Sequence, residues 1–259
     1  MATYINTAIE EGVMTITLNR PDKFNSFIKQ MAFELQDALD EAAVNIQVRS
    51  VLLTATGKAF CAGQDLKEAI EPGGPELTTI VKEHYNPIIR KMRNLPKPVL
   101  VAVNGIAAGA GANIALAGDI VVATKSASLI QAFSKIGLIP DSGGTFMLPR
   151  LVGLQRATAL MMTADPVSAD EAVQMGMIYK AFPDETFVED ALALARKLAK
   201  MPTKGLMLTK KALNKSLTND LDTQLQCEDD LQTQAGSTSD FKEGVQAFLE
   251  KRQPNFTGQ

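Results

Sequence analysis

The sequence predicts an α/β protein: a mixed strand-and-helix core followed by a helical tail. Up to residue 183, short apolar or alternating runs that read as strands take turns with stretches of helical period. From residue 184 onward the stretches are helical only. Over 259 residues, a composition 46% hydrophobic and 21% charged supplies material for a large core. The chain therefore divides into an α/β core, residues 1–183, and a C-terminal helical region, residues 184–259.

Val13–Leu18 (VMTITL) alternates apolar and polar side chains, the period of a half-buried strand. Asn19-Arg20-Pro21-Asp22 is a turn signal, with Lys23 on the loop behind it. Met31, Leu35, Ala38, Leu39 and Ala42 recur at helical spacing, which predicts an amphipathic helix of about four turns. Ser50–Ala55 (SVLLTA) reads as a short buried strand, and the small residues of Thr56–Leu66 as an irregular loop. Pro72-Gly73-Gly74-Pro75 marks an exposed, mobile connection. Glu76–Asn94 reads as a helix that Pro87 kinks or breaks.

The chemistry-bearing residues collect in Lys97–Arg150. Val99–Val103 and Asp119–Thr124 read as strands, and Asn104-Gly105 breaks the first of them. Ala107–Asn113 is a run of small residues at a predicted helix start, and Ile139–Thr145 is a glycine loop with one acid, Asp141. Gly and Ala at a helix start let backbone N–H groups approach a ligand closely, where negative charge is favoured. This stretch is expected to stabilise an anion while Asp141 moves a proton.

Further on, Leu151–Leu160 is helical, and Ser168-Ala169-Asp170-Glu171 is a capping box opening a short helix that Gly176 closes. Met177–Phe182 reads as a strand. Helices are expected over 184–200, 203–216, 220–235 and 239–252, separated by Pro202 and by the Gly236–Ser239 run. Helices with no sheet of their own pack on something else, often a neighbouring subunit, so an oligomer is expected.

A formal net charge of −3 argues against nucleic acid as the main partner. Cys61 and Cys227 lie too far apart for metal-ligand spacing and read as buried reduced thiols, so no metal is expected. The N-terminus lacks a basic start with a long apolar run, and no stretch reaches the ~18 apolar residues of a membrane span. A soluble cytoplasmic protein is the expectation. His84, the only histidine, reads as a helix-surface residue, and Lys210-Lys211 as a solvated helix face.

Three segments together carry a resemblance: Lys58–Leu66 (KAFCAGQDL), Asn104–Asn113 (NGIAAGAGAN) and Gly137–Thr145 (GLIPDSGGT). With NRPDKFNS at the front and FKEGVQAFLEKRQPNF at the end, the chain resembles the crotonase (enoyl-CoA hydratase/isomerase) superfamily over essentially its whole length. The resemblance implies a crotonase-like fold of repeated ββα units with a C-terminal helical region used in trimerisation, as a homotrimer or dimer of trimers. It implies acyl-CoA thioester substrates, coenzyme A being part of the substrate and no further cofactor being needed. By position, the two backbone N–H groups of the family's oxyanion hole fall on Gln64 and Ala110. Deprotonating next to a thioester puts negative charge on the carbonyl oxygen as an enolate, and losing one preorganised donor there typically costs about 10²–10³ in rate. Contacts to CoA are implied around Ala62, Asp65 and Leu66, with Lys23 near the nucleotide and Lys58 and Lys251 as further phosphate contacts.

The hydratases of this family hold water with two glutamates, which by position would be Asn113 and Phe133 here. Neither is acidic, so syn-hydration is not expected, and both residues are left to line the substrate. Asp141 stands where dienoyl-CoA isomerases, and the ring-opening isomerases of phenylacetate catabolism, carry a catalytic aspartate. GLIPD-x-GGT, AAGAGA and AFSK look most like the second group, which converts a ring-1,2-epoxide of phenylacetyl-CoA to an oxepin-CoA and can also shift double bonds. Phe133 should desolvate Asp141 and raise its pKa, and Phe133 with Phe146 suits a ring-bearing substrate. Two alternatives stand beside this: a Δ3,Δ5–Δ2,Δ4-dienoyl-CoA or enoyl-CoA isomerase of fatty chains, and a non-catalytic acyl-CoA-binding protein. In a related dehalogenase subgroup the aspartate pairs with a histidine, whose position falls on Asn86 rather than His84.

Overall fold

The computed structural model describes residues 3–259. Strands β1 (Ile5–Glu10) and β2 (Val13–Leu18) form an antiparallel hairpin in which Ile5 faces Leu18. Glu11 (φ +49°) and Gly12 (φ +79°) make its two-residue turn, the left-handed geometry that matches strand twist. Strand β1 has no apolar stripe for a sequence reading to find, because every residue after Ile5 is exposed.

Helix α1 (Lys29–Val44) buries the five residues that predict it. Strand β3 (Ser50–Ala55) is followed by β4 (Ala59–Cys61), a three-residue strand inside the stretch expected to be loop, and by α2 (Leu66–Ile70). The next helix is composite: α3 (Leu77–Thr79), a π-helical turn over Ile80–Tyr85, then α4 (Asn86–Asn94) with Pro87 in its first turn. Pro87 has no N–H to give to the carbonyl four residues back. The wider turn and Gln36 of α1 resolve this, Nε2 donating to the oxygens of Glu83 (2.8 Å) and His84 (3.2 Å).

Strand β5 (Val99–Val103), β6 (Ile106–Ala108) and α5 (Ala110–Leu116) follow, then β7 (Ile120–Thr124) and β8 (Ser128–Ile130). A 3₁₀ turn (Ala132–Ile136) leads to α6 (Gly144–Val152) and α7 (Leu154–Thr163), two helices where one was expected. Gly153, at φ +81°, lies between them. Strand β9 (Pro166–Ser168), α8 (Ala169–Gln174) with its complete capping box, and β10 (Lys180–Phe182) end this part. The last four helices are α9 (Phe187–Lys200), α10 (Thr203–Ser216), α11 (Leu221–Gly236) and α12 (Ser239–Glu250).

The strands form a six-stranded sheet in the order β1-β2-β3-β5-β7-β10 and a four-stranded sheet in the order β4-β6-β8-β9. In the pairs β3–β4, β5–β6 and β7–β8 the chain places the first strand in the large sheet and the second in the small one, giving the repeated ββα units of a crotonase-like fold. Parallel strands of the large sheet are buried on both faces, which is why β5 is apolar throughout. Val51, Leu53, Val99, Val101, Val121 and Ala123 join the main core with α1, α4 and α5. Their neighbours Leu52, Leu100, Ala102 and Val122 meet Phe187, Ala191, Ala195 and Ala199 of α9, which recur every fourth residue. The three alanines bring that helix close enough for the Ser50 hydroxyl to donate to the Ala195 carbonyl at 2.9 Å.

Lys210 is buried, not solvated as its sequence context suggests. Its ammonium sits 2.7 Å from Asp119 Oδ2 and also donates to the carbonyls of Met92 and Lys97. This ties α10 to the strand ends of the core. No helix among the described residues is long and apolar enough to cross a membrane.

Candidate active site

The segments after β4 and β6, the 3₁₀ turn with the loop behind it, and the composite helix before α4 enclose a cleft of about 240 Å³. Its walls are apolar, among them Leu66, Ile80, Phe133 and Leu138, and its polar side chains are Gln64, Tyr85, Lys135 and Asp141. Gln64, Ala110, Asp141, Ala62, Leu66 and Phe133, all named from the sequence, line it together.

Neighbouring amides near Gln64 and Ala110 are committed elsewhere. The Ala62 N–H donates to Phe24 O (3.0 Å), Gly63 to Cys61 Sγ (3.3 Å), Asp65 to Phe27 O (2.8 Å) and Gly109 to Ile130 O (2.9 Å). The Gln64 and Ala110 N–H groups have no acceptor among the described residues. Each follows a glycine of positive φ, Gly63 (+91°) and Gly109 (+55°), so each donor is aimed by a backbone turn that a side chain would strain. β4 and β6 are adjacent parallel strands, which brings the two turns side by side; a Cβ on Gly63 would lie 3.5 Å from Ala110 N. Helix α5 has only seven residues, so negative charge placed here would meet the two unpaired N–H groups more than a helix dipole.

Gln64 is fixed through its side chain as well. The Tyr85 hydroxyl donates to Gln64 Oε1 at 2.7 Å, and Gln64 Nε2 donates to Glu68 Oε2 at 3.0 Å. Tyr85 is buried, edge-on to Phe27 with ring centroids 5.8 Å apart. Burial, then the nearby Cys61, Asp141 and Glu68, push its phenol well above the ordinary value, so it stays protonated. Sequence reasoning missed Tyr85. Its only signal is the proline two residues later, whose π turn rotates the preceding side chains off the regular helical stripe.

Asp141 stands at the first position of a tight turn closed by the Gly144 N–H on Asp141 O (2.9 Å), with Ser142 (φ +51°) and Gly143 (φ +74°) both left-handed. Non-glycine residues rarely adopt such a φ, and Ser142 earns a role there by donating from Oγ to Asp141 Oδ1 at 2.8 Å. Burial pushes the Asp141 carboxyl above the usual aspartate value, with the Ser142 hydrogen bond partly opposing. Among the described residues it is the one carboxylate lining the cleft.

The other site residues named from the sequence fall outside the cleft lining, and Asn113 and His84 depart from their expected placement. Asn113 is buried off the cleft wall, its side chain committed to Gln131 and to the Asp141 carbonyl. Asp65 pairs with Arg20 at 2.8 Å and caps α2 through the Lys67 amide. Burial alone would raise that carboxyl, but Arg20 and the backbone donors outweigh it and hold it below the usual range. Lys23 lies exposed at the end of a short turn over Pro21–Lys23, outside the cleft lining. Phe146 also lies outside it, stacked under the Arg150 guanidinium at 3.8 Å. His84 is buried rather than on the surface, packed edge-on against Phe33, and burial pulls its imidazole below the ordinary value. Cys61 is buried, and desolvation pushes its thiol up to about 12, which keeps it protonated. Among the described residues no cluster of three or more His, Cys, Asp or Glu side chains could hold a metal ion.

Residues 8–259 match the sequence profile of the enoyl-CoA hydratase/isomerase family. The chain is 50% identical over 261 residues to the 1,2-epoxyphenylacetyl-CoA isomerase of Escherichia coli (strain K12), covering 100% of both chains. It is 46% identical to a protein of Rhodobacter capsulatus named as a probable enoyl-CoA hydratase, over 98% of each chain. Among solved structures, an enoyl-CoA hydratase from Bacillus anthracis superposes with a TM-score of 0.92 at 36% identity, over 99% of this chain and 100% of that one.

Proposed function

The chain belongs to the enoyl-CoA hydratase/isomerase family, and from that premise we propose that it isomerises acyl-CoA thioesters, converting ring-1,2-epoxyphenylacetyl-CoA to an oxepin-CoA. One observation carries the reading: the cleft pairs two free backbone N–H groups with a single buried carboxylate. Asp141 removes a proton α to the thioester carbonyl. The C–H electron pair becomes the enolate, whose oxygen accepts from the Gln64 and Ala110 amides. The bond between the two epoxide carbons breaks as the ring π electrons shift, so the ring expands to seven atoms with both C–O bonds kept and the enolate conjugated through it. Asp141 returns the proton to a carbon further along the conjugated system, so no atom is gained or lost.

Hydration needs a second acid or base to hold and activate water. The two places where that group would sit carry Asn113, tied up off the cleft, and the apolar Phe133. This favours isomerisation over water addition. Double-bond shifts in unsaturated acyl-CoAs use the same parts and are expected as a side activity. The exposed apolar residues Leu225, Phe241, Val245, Phe248 and Leu249 of the last two helices support a self-associating, trimeric protein.

The test is to incubate the protein separately with ring-1,2-epoxyphenylacetyl-CoA, a 3,5-dienoyl-CoA and a trans-2-enoyl-CoA, following isomer and hydrate by mass. Isomers without hydrate are expected, and Asp141→Asn should lower kcat by about 10²–10⁴. Hydrate as the main product, or full activity of that variant, would overturn the reading.

A further inference from the structure

The Asp141 turn is held from behind by two amide side chains in series. Asn113 Nδ2 donates to the Asp141 carbonyl at 2.9 Å, and Gln131 Nε2 donates to Asn113 Oδ1 at 2.8 Å. Both are buried, at 1% and 4% exposure, and both lie outside the cleft, so neither can meet the substrate.

The chain has a forced direction. A carbonyl only accepts, so Asn113 must present its NH₂ to Asp141 and its oxygen to Gln131. Gln131 must then present its NH₂ to Asn113, which leaves its own Oε1 buried without a hydrogen-bond partner. Such an orphan acceptor is unfavourable for folding, and turning the amide over would cost the link to Asn113. Gly144 marks the same constraint from the other side. A Cβ there would stand 2.3 Å from Asn113 Nδ2, so only glycine lets the Asn113 amide reach under the turn.

Resting on the reading of Asp141 as proton carrier, we infer that Gln131, just after β8, and Asn113 of α5 are positioning residues that fix the strained Asp141 turn. Where water-adding relatives are expected to carry an acid, this chain places a strut. Gln131 holds Asn113, Asn113 holds the turn, and the turn sets the carboxylate against the two amides. The orphaned oxygen of Gln131 is the structural cost of that placement.

The experiment follows α-proton exchange into phenylacetyl-CoA in heavy water by NMR, alongside thermal melting. Gln131→Met keeps the shape and removes the donor, exchanging the orphan acceptor on Gln131 for one on Asn113 Oδ1. Its kcat for exchange should fall about tenfold, the scale of a slightly displaced catalytic group. KM should hold, and Tm should hold, because one buried orphan acceptor replaces another. A Gln131→Met change on an Asn113→Leu background should add nothing, because the two act in series. Unchanged kcat, kcat and Tm falling together, or multiplying effects in the double variant would overturn the inference. Asp141→Asn separates the two levels. Exchange absent in the wild type, or retained in Asp141→Asn, sinks the proton-carrier reading and this inference with it. Exchange lost in Asp141→Asn yet unchanged in Gln131→Met sinks the inference alone.

Discussion

Asp141 combines two opposing influences on one carboxyl: burial, which raises its pKa, and the Ser142 hydroxyl, which lowers it. As the general base proposed above, Asp141 must be ionised to work, so activity is expected to fall as pH drops through the raised value. The acid limb of kcat/KM is therefore expected above the ordinary aspartate range of about 3.9. Ser142→Ala removes the opposing hydrogen bond, so its acid limb should move to still higher pH, as a pH–rate profile would record. A limb that stays in place or moves down would contradict this account of the carboxyl. At this scale the glycine-marked loops that carry Gln64, Ala110 and Asp141 were legible in the sequence, and the family resemblance picked out those positions within them. Asn113 was legible only as a departure from an acidic position. Its partners are the oxygen of Asp141 and the amide of Gln131, and a hydrogen bond across different loops leaves no periodic trace. His84 was misread for a related reason: the π turn changes the angular step, so a helical wheel drawn through it puts the wrong residues outside.

Elements with a clear period were read closely. β2 and β3 span the residues predicted for them, and α1 buries the predicted stripe. The four-stranded sheet was invisible, since its strands β4, β6, β8 and β9 are three residues each and three residues carry no period. The composite helix before α4 shows how a local fault is repaired by a distant side chain. Gln36 serves the two carbonyls near Pro87, and Gln36→Leu would remove that side-chain donor from both. A loss of about 1–3 kcal/mol is expected in a denaturant titration. Because Tyr85 lies in the same turn, the kcat of that variant should fall along with its stability. Stability within a few tenths of a kcal/mol of the parent would show that water serves those carbonyls equally well.

At the scale of the whole molecule, the C-terminal helices are joined to the core by buried charge as well as by apolar contact. Asp119 takes Lys210 on one oxygen at 2.7 Å and Arg93 on the other at 3.3 Å, and its carboxylate also accepts from Val99 N. Burial pulls the Lys210 ammonium below the ordinary lysine value, while Asp119 opposes that shift. Lys210→Met should cost about 1.5–3 kcal/mol, the range for a hydrogen bond to a charged group. It should fall short of the about 3–5 kcal/mol of a stranded buried charge, because Arg93 still neutralises Asp119. Thermal melting checks it, and a more stable variant would show that desolvating the pair outweighs its attraction. Sequence alone could not show this, because Lys210 beside Lys211 resembles any basic surface.

The two unpaired donors of the cleft, proposed above to hold the enolate, are main-chain atoms, and this shapes how the protein can be damaged by mutation. A scan that trims side chains leaves both N–H groups where they are, and Ala110 has nothing left to trim. The exposed target is the pair of residues just before them. A single base change that puts any side chain at Gly63 or Gly109 strains the turn that aims a donor. At Gly63 the new Cβ would also stand 3.1 Å from the Ala108 oxygen. Inherited loss of this chemistry, apart from changes at Asp141, should therefore be recorded at glycines that never touch the substrate.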